Sequence, residues 1–79
     1  MPPTREAITA IISEEARIDV EKLKPEETLV SLGIESLDVV SVLFAIEEKF
    51  GVEIPQEEIA STETLEQFVD VILARVASV

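Results

Sequence analysis

The clearest hydrophobic periodicity lies in residues 36–50. Val39, Val42, Leu43, Ile46 and Phe50 recur at i, i+3, i+4, i+7 and i+11, the stripe of a helix that buries one face. No Gly or Pro interrupts the run, and Gly51 stands where a helix stop belongs. Ser36 occupies the expected N-cap position, and Asp38 falls in the first turn, where a carboxylate complements the helix dipole. Leu37, Val40 and Phe44 form a second apolar stripe about 130° around the same helix. Glu47 and Glu48 lie on or beside it. A domain of this size has one core, so the second stripe is either a second packing surface or an exposed one. Its carboxylate rim favours an exposed surface suited to docking a partner. Ser36 projects near the seam between the two stripes.

The flanking segments read as supports for this helix. Pro2-Pro3-Thr4 opens a first helix, with Thr4 as cap, Glu6 in the first turn and Ile8, Ile11 and Ile12 inward, reaching about Ala16. Arg5 is expected to be solvated. Residues 17–35 form a connection longer than most loops. It holds Ile18, Val20, Leu23, Leu29, Leu32 and Ile34, too many apolar residues for a free linker, so it should pack over the helix ends. A short helical turn is expected around Asp19–Leu23, and Lys24-Pro25-Glu26-Glu27-Thr28 reads as a turn. Gly51-Val52-Glu53-Ile54 alternates but has no partner strand. Pro55 is expected at the first position of a short helix, Gln56 to Ala60, with Ile59 inward. Thr64 with Gln67 three residues on is a capping-box signature. It opens a last helix from Leu65 to about Val76, with Leu65, Phe68, Val69, Ile72 and Val76 inward, before a frayed Ala77-Ser78-Val79. The chain, residues 1–79, is therefore expected to be one all-α domain: a small four-helix up-and-down bundle, three helices longer and one short, with a long first loop.

Composition narrows the chemistry. The chain is 47% apolar with no Trp or Tyr and three Phe, so a core is available and must be aliphatic. It contains no Cys and no His. That removes disulfides, thiolate ligands, a cysteine nucleophile and the usual general base. An enzyme is hard to assemble from what remains, and a sulfur needed for thioester chemistry would have to come from a prosthetic group. Seventeen carboxylates against six Lys and Arg give a net charge of −11. Nucleic acid and anionic membrane surfaces are poor partners for such a chain, and basic protein surfaces are good ones. Between Glu35 and Glu58 there are seven acidic residues against one basic residue, Lys49, whereas Glu6 and Asp70 read as isolated. No run has transmembrane length and no signal-peptide pattern opens the chain, so a cytoplasmic location is expected; separately, the chain is expected to be a monomer. Glu35 and Asp38 are the carboxylates nearest Ser36, but the chain has no D-x-D-x-D-G calcium loop.

Gly33-Ile34-Glu35-Ser36-Leu37-Asp38 resembles the G-x-D-S-L motif of acyl carrier proteins. Ile46-Glu47-Glu48-Lys49-Phe50-Gly51-Val52-Glu53-Ile54-Pro55 is similar to that family's E-E-x-F-x-x-x-I-P run. The likeness covers nearly the whole chain. It implies that Ser36 carries 4′-phosphopantetheine through a phosphodiester, with acyl groups held as thioesters on the terminal thiol. It also implies docking through Glu35, Leu37, Asp38, Val40, Phe44, Glu47 and Glu48. The docked enzymes would be a phosphopantetheinyl transferase (holo-carrier synthase) and acyl synthases, reductases or acyltransferases with basic surfaces, in fatty-acid or lipid biosynthesis. Leu29, Val30, Val39, Leu43, Ile46, Ile54 and Ile59 would line an acyl pocket. The chain departs from the pattern at Glu35, usually Asp; at Ser41, often acidic; and at Val39, often polar. Ser41 and Val39 leave partner and acyl-chain identity open. Two alternatives stand beside this one: an aminoacyl or peptidyl carrier, and an unmodified acidic helical interaction module.

Overall fold

The computed structural model describes residues 4–77, and among them are four α-helices, one 3₁₀ turn and no strand. Helix α1 spans Arg5–Ala16. The Thr4 hydroxyl caps it, accepting the Ala7 N–H at 3.1 Å, and Ala7, Ile8, Ile11 and Ile12 are buried. The helix ends at Arg17, whose φ of 58° and ψ of 47° are left-handed. Its N–H donates to the Ser13 carbonyl, and the Ser13 hydroxyl donates to the Ile18 carbonyl at 2.5 Å. A side chain at this conformation crowds its own carbonyl, which glycine avoids. Arg17→Gly is therefore expected to stabilise the protein by about 0.5–1 kcal/mol, read as a higher urea midpoint at unchanged m-value.

Residues 17–35 cross to the second helix through the 3₁₀ turn Val20–Lys22, where the pattern places a helical turn. Leu23 and Ile34 are buried, and Ile18, Leu29 and Leu32 pack partly against the core. The connection is tied down by backbone. Leu29 N–H donates to the Glu63 carbonyl at 3.2 Å and Leu65 N–H to the Glu27 carbonyl at 2.8 Å, as part of an isolated antiparallel bridge between Thr28 and Thr64. Glu66 N–H donates to the Pro25 carbonyl at 3.1 Å. The first N–H groups of a helix have no acceptor within it, and here the connection supplies acceptors for the last helix.

Helix α2 spans Ser36–Phe50 and ends at Gly51, whose φ is 68°. Its cap is Glu35 and not Ser36: Glu35 is extended, and the Asp38 carboxylate reaches back to accept the Glu35 N–H at 3.0 Å. Helix α3 spans Gln56–Ile59. There the start is displaced by one residue in the opposite direction, later than the pattern places it. Pro55, with ψ of 134°, is the cap and not the first helical residue, and Ala60 lies beyond the last turn. The Thr62 N–H and hydroxyl both donate to the Ile59 carbonyl, at 2.9 and 2.7 Å, and turn the chain away. Helix α4 spans Leu65–Ala77. Its capping box forms as the spacing predicts: Gln67 N–H donates to Thr64 Oγ1 at 3.3 Å and Thr64 N–H to Gln67 Oε1 at 3.4 Å. Ala77 is helical rather than frayed. The expectations for Pro2-Pro3 and for Ser78-Val79 lie outside the described residues.

The core collects the inward faces of α1, α2 and α4, with Phe68, Ile8, Ile12, Ile46, Ile72 and Val42 fully buried. Val39 and Phe50 sit at its edge, partly buried. Arg5 is not simply solvated, nor is Asp70 isolated. The packing of α1 on α4 brings them together as an ion pair, and Arg75 of α4 pairs with Glu58 of α3. Such exposed pairs contribute about 0–1 kcal/mol each, so self-repulsion from the charge of −11 dominates the response to salt. The melting temperature is expected to rise from very low to physiological ionic strength; a flat thermal profile across that range would contradict this.

Candidate modification site

The segment leading into α2 fixes the position of Ser36. Gly33 N–H donates to the Val30 carbonyl at 3.0 Å and Ile34 N–H to the Leu29 carbonyl at 2.9 Å. This closed turn requires the φ of 75° at Gly33, a conformation glycine adopts without steric cost. Ile34 is buried and anchors the turn to the core. Glu35 then runs extended, and Ser36 enters α2 as its first residue. Its side chain is exposed. The N–H groups of the first helical turn lack intrahelical acceptors and carry the positive end of the helix dipole.

Ser36 borders a groove of about 350 Å³ between α2 and α3, lined by Leu29, Val39 and Val40 on one side and Gln56, Ile59, Ala60 and Thr62 on the other. Of the residues expected around an acyl chain, Leu29, Val39 and Ile59 line this groove. Leu43, Ile46 and Ile54 are buried in the core and are not on its lining. Val30 corrects the expectation: it is 87% exposed, because it forms the outer corner of the turn closed by Gly33, while its neighbour Leu29 takes the inward position. Gln56, Ala60 and Thr62 also line the groove, and the hydrophobic pattern does not single them out. The i, i+4 spacing of Gln56, the first residue of α3, and Ala60, its C-cap, is the signal that places them together.

The second stripe of α2 lies in solvent. Leu37 is 79%, Val40 45% and Phe44 62% exposed. Val40 and Phe44 also border a shallow concavity of about 330 Å³ with Glu15, Ser41, Ala45 and Glu48. Glu35 and Glu48 are exposed, and Glu47 and Asp38 are half-buried. The Asp38 carboxylate is engaged with the backbone at the start of the helix. Glu15, contributed by α1, is the carboxylate of this face that helical spacing within α2 does not reveal. No helix among the described residues is long and apolar enough to cross a membrane.

The chain matches the phosphopantetheine attachment site family over residues 6–72. It is 39% identical over 74 residues to the acyl carrier protein of Thermosynechococcus vestitus, a match that covers 92% of this chain and 91% of that protein. It is 50% identical over 54 residues to the acyl carrier protein of Helicobacter pylori strain G27, covering 67% of this chain and 69% of that one. The acyl carrier protein of Helicobacter hepaticus is 39% identical over 67 residues, 84% and 88% of the two chains. An exposed serine opening a helix beside an apolar groove, in a chain matched over nearly its whole length, places this protein in the family of phosphopantetheine-bearing acyl carrier proteins.

Proposed function

We propose that Ser36 is the residue that receives 4′-phosphopantetheine, and that residues 1–79 act as a single carrier domain with its long helices in up-and-down order. The observation that carries this is the position of Ser36: an exposed primary hydroxyl at the first residue of a 15-residue helix, beside an apolar groove. The site suits the group on two counts. A phosphodiester anion on the Ser36 oxygen lies next to the unsatisfied N–H groups and positive dipole of the helix N-terminus. Leu29, Val39, Val40 and Ile59 offer apolar surface to a chain returning along the seam. When bound, the group supplies a thiol that holds acyl chains as thioesters, the chemistry the chain's own side chains lack. The protein is a substrate-presenting partner and not itself an enzyme.

Partner enzymes dock on the exposed face of α2. Leu37, Val40 and Phe44 supply apolar contact, and Glu35, Glu47 and Glu48, with Asp38 at the helix start, supply the charge that attracts Lys and Arg on the enzyme. The partners are a phosphopantetheinyl transferase and acyl synthases, reductases or acyltransferases of fatty-acid or lipid biosynthesis. The carrier is a monomer in the cytoplasm, with no nucleic-acid partner and no membrane insertion. Incubation with coenzyme A and a phosphopantetheinyl transferase is expected to add one phosphopantetheine per chain by intact mass; an unmodified interaction module would gain none. Phe44→Ala is expected to change stability by less than about 0.5 kcal/mol while lowering turnover by partner enzymes. Glu48→Lys is expected to slow association and flatten its salt dependence without affecting the fold. A Phe44→Ala variant that unfolds, or that partners use as well as the parent, would remove the docking role.

A further inference from the structure

Half of the groove beside Ser36 belongs to α3, and α3 has little of its own to hold it there. The helix is a single turn, Gln56–Ile59. Its internal ties are the Glu58 N–H to the Pro55 carbonyl at 3.1 Å and the Ala60 N–H to the Gln56 carbonyl at 2.9 Å. One side chain, Ile59, is buried from it. Its packing is chiefly on α4, while the groove separates it from α2. The polar side chain joining α3 to α4 is Glu58, which pairs with Arg75. Ile54, just before the helix, is buried as well, so apolar packing on either side of Pro55 seats α3, and the Glu58–Arg75 pair adds the polar tie to α4.

We infer that the Glu58–Arg75 pair positions α3 as the movable wall of the groove, so that Glu58 is a positioning residue governing how well a chain attached at Ser36 is shielded from water. This rests on Ser36 being the attachment residue, but the pair's hold on α3 does not. An exposed ion pair shifts a local opening equilibrium about two- to fivefold, enough to alter shielding without unfolding the domain.

The test is a double-mutant cycle with Glu58→Gln, Arg75→Gln and both together. Amide exchange is read first on the unmodified protein. Glu58→Gln is expected to raise exchange at Glu58, Ala60 and Thr62 by about two- to fivefold and to leave the amides of Ile12 and Ile72 unchanged. In the Arg75→Gln background the same substitution is expected to have no further effect. On protein carrying an octanoyl thioester, Glu58→Gln is expected to speed hydroxylamine cleavage by a similar factor, and again not in the Arg75→Gln background. Unchanged exchange at α3, an equal effect in both backgrounds, a uniform rise that includes Ile12 and Ile72, or faster exchange with unaltered cleavage would each overturn the inference. Failure of Ser36 as the attachment residue would instead appear as absent mass gain at Ser36, with the exchange results standing.

Discussion

Phe68→Ala is expected to remove most of the stability of this protein. Phe68 is fully buried on α4 in a core otherwise built of aliphatic side chains. Truncating a buried Phe costs about 3–5 kcal/mol, the lost transfer energy plus the cavity left behind. A small domain has roughly 5 kcal/mol or somewhat more to lose. The three phenylalanines make an internal scale. Phe50 is half-buried at the core edge, so Phe50→Ala should cost less than Phe68→Ala. Phe44 is exposed, and its truncation should cost almost nothing. Urea midpoints are therefore expected in the order Phe44→Ala, then Phe50→Ala, then Phe68→Ala, from highest to lowest. Equal losses at Phe44 and Phe68 would mean that α2 is buried on both faces.

Ser36→Ala is expected to abolish phosphopantetheine attachment completely and leave the fold intact. The second half of this expectation depends on the local geometry. Were Ser36 the cap of α2, its loss would cost about 0.5–2 kcal/mol. The cap is Glu35, held by Asp38, and Ser36 is an exposed first-turn residue, so the cost should stay within about 0.5 kcal/mol. Ser41 and Ser61 are also exposed and remain in the variant as competing hydroxyls. An intact-mass gain on folded Ser36→Ala protein would show that the helix entrance does not select the residue.

The elements with a buried stripe were legible in the sequence because burial imposes its own period. Ile8, Ile11 and Ile12, then Val42, Leu43 and Ile46, then Leu65, Phe68, Val69, Ile72 and Val76 all face the core as their spacing requires. The wheel alone left Leu37, Val40 and Phe44 either packed or exposed; the neighbouring Glu47 and Glu48 favoured exposure, which is what the structure has. Helix starts were legible only where the cap is conventional. Thr4 and Thr64 cap as expected, whereas α2 and α3 begin one residue away because Asp38 reaches back to Glu35 and Pro55 stays extended. What local pattern does not carry is contact between distant segments. Arg5 meets Asp70 and Arg75 meets Glu58 only once the helices pack. Val30 points outward because of a turn closed by backbone bonds to Val30 and Leu29, and Gln56, Ala60 and Thr62 join Ser36 only through the placement of α3.

The central claim is that the hydroxyl opening α2 carries the prosthetic group. Its most direct test is fragment-ion localisation of the added mass after wild-type protein is treated with coenzyme A and a phosphopantetheinyl transferase. The predicted result is one phosphopantetheine per chain, with every fragment containing Ser36 shifted and fragments confined to Ser31 or Ser41 unshifted. Mass on another residue, or none on any, would contradict it.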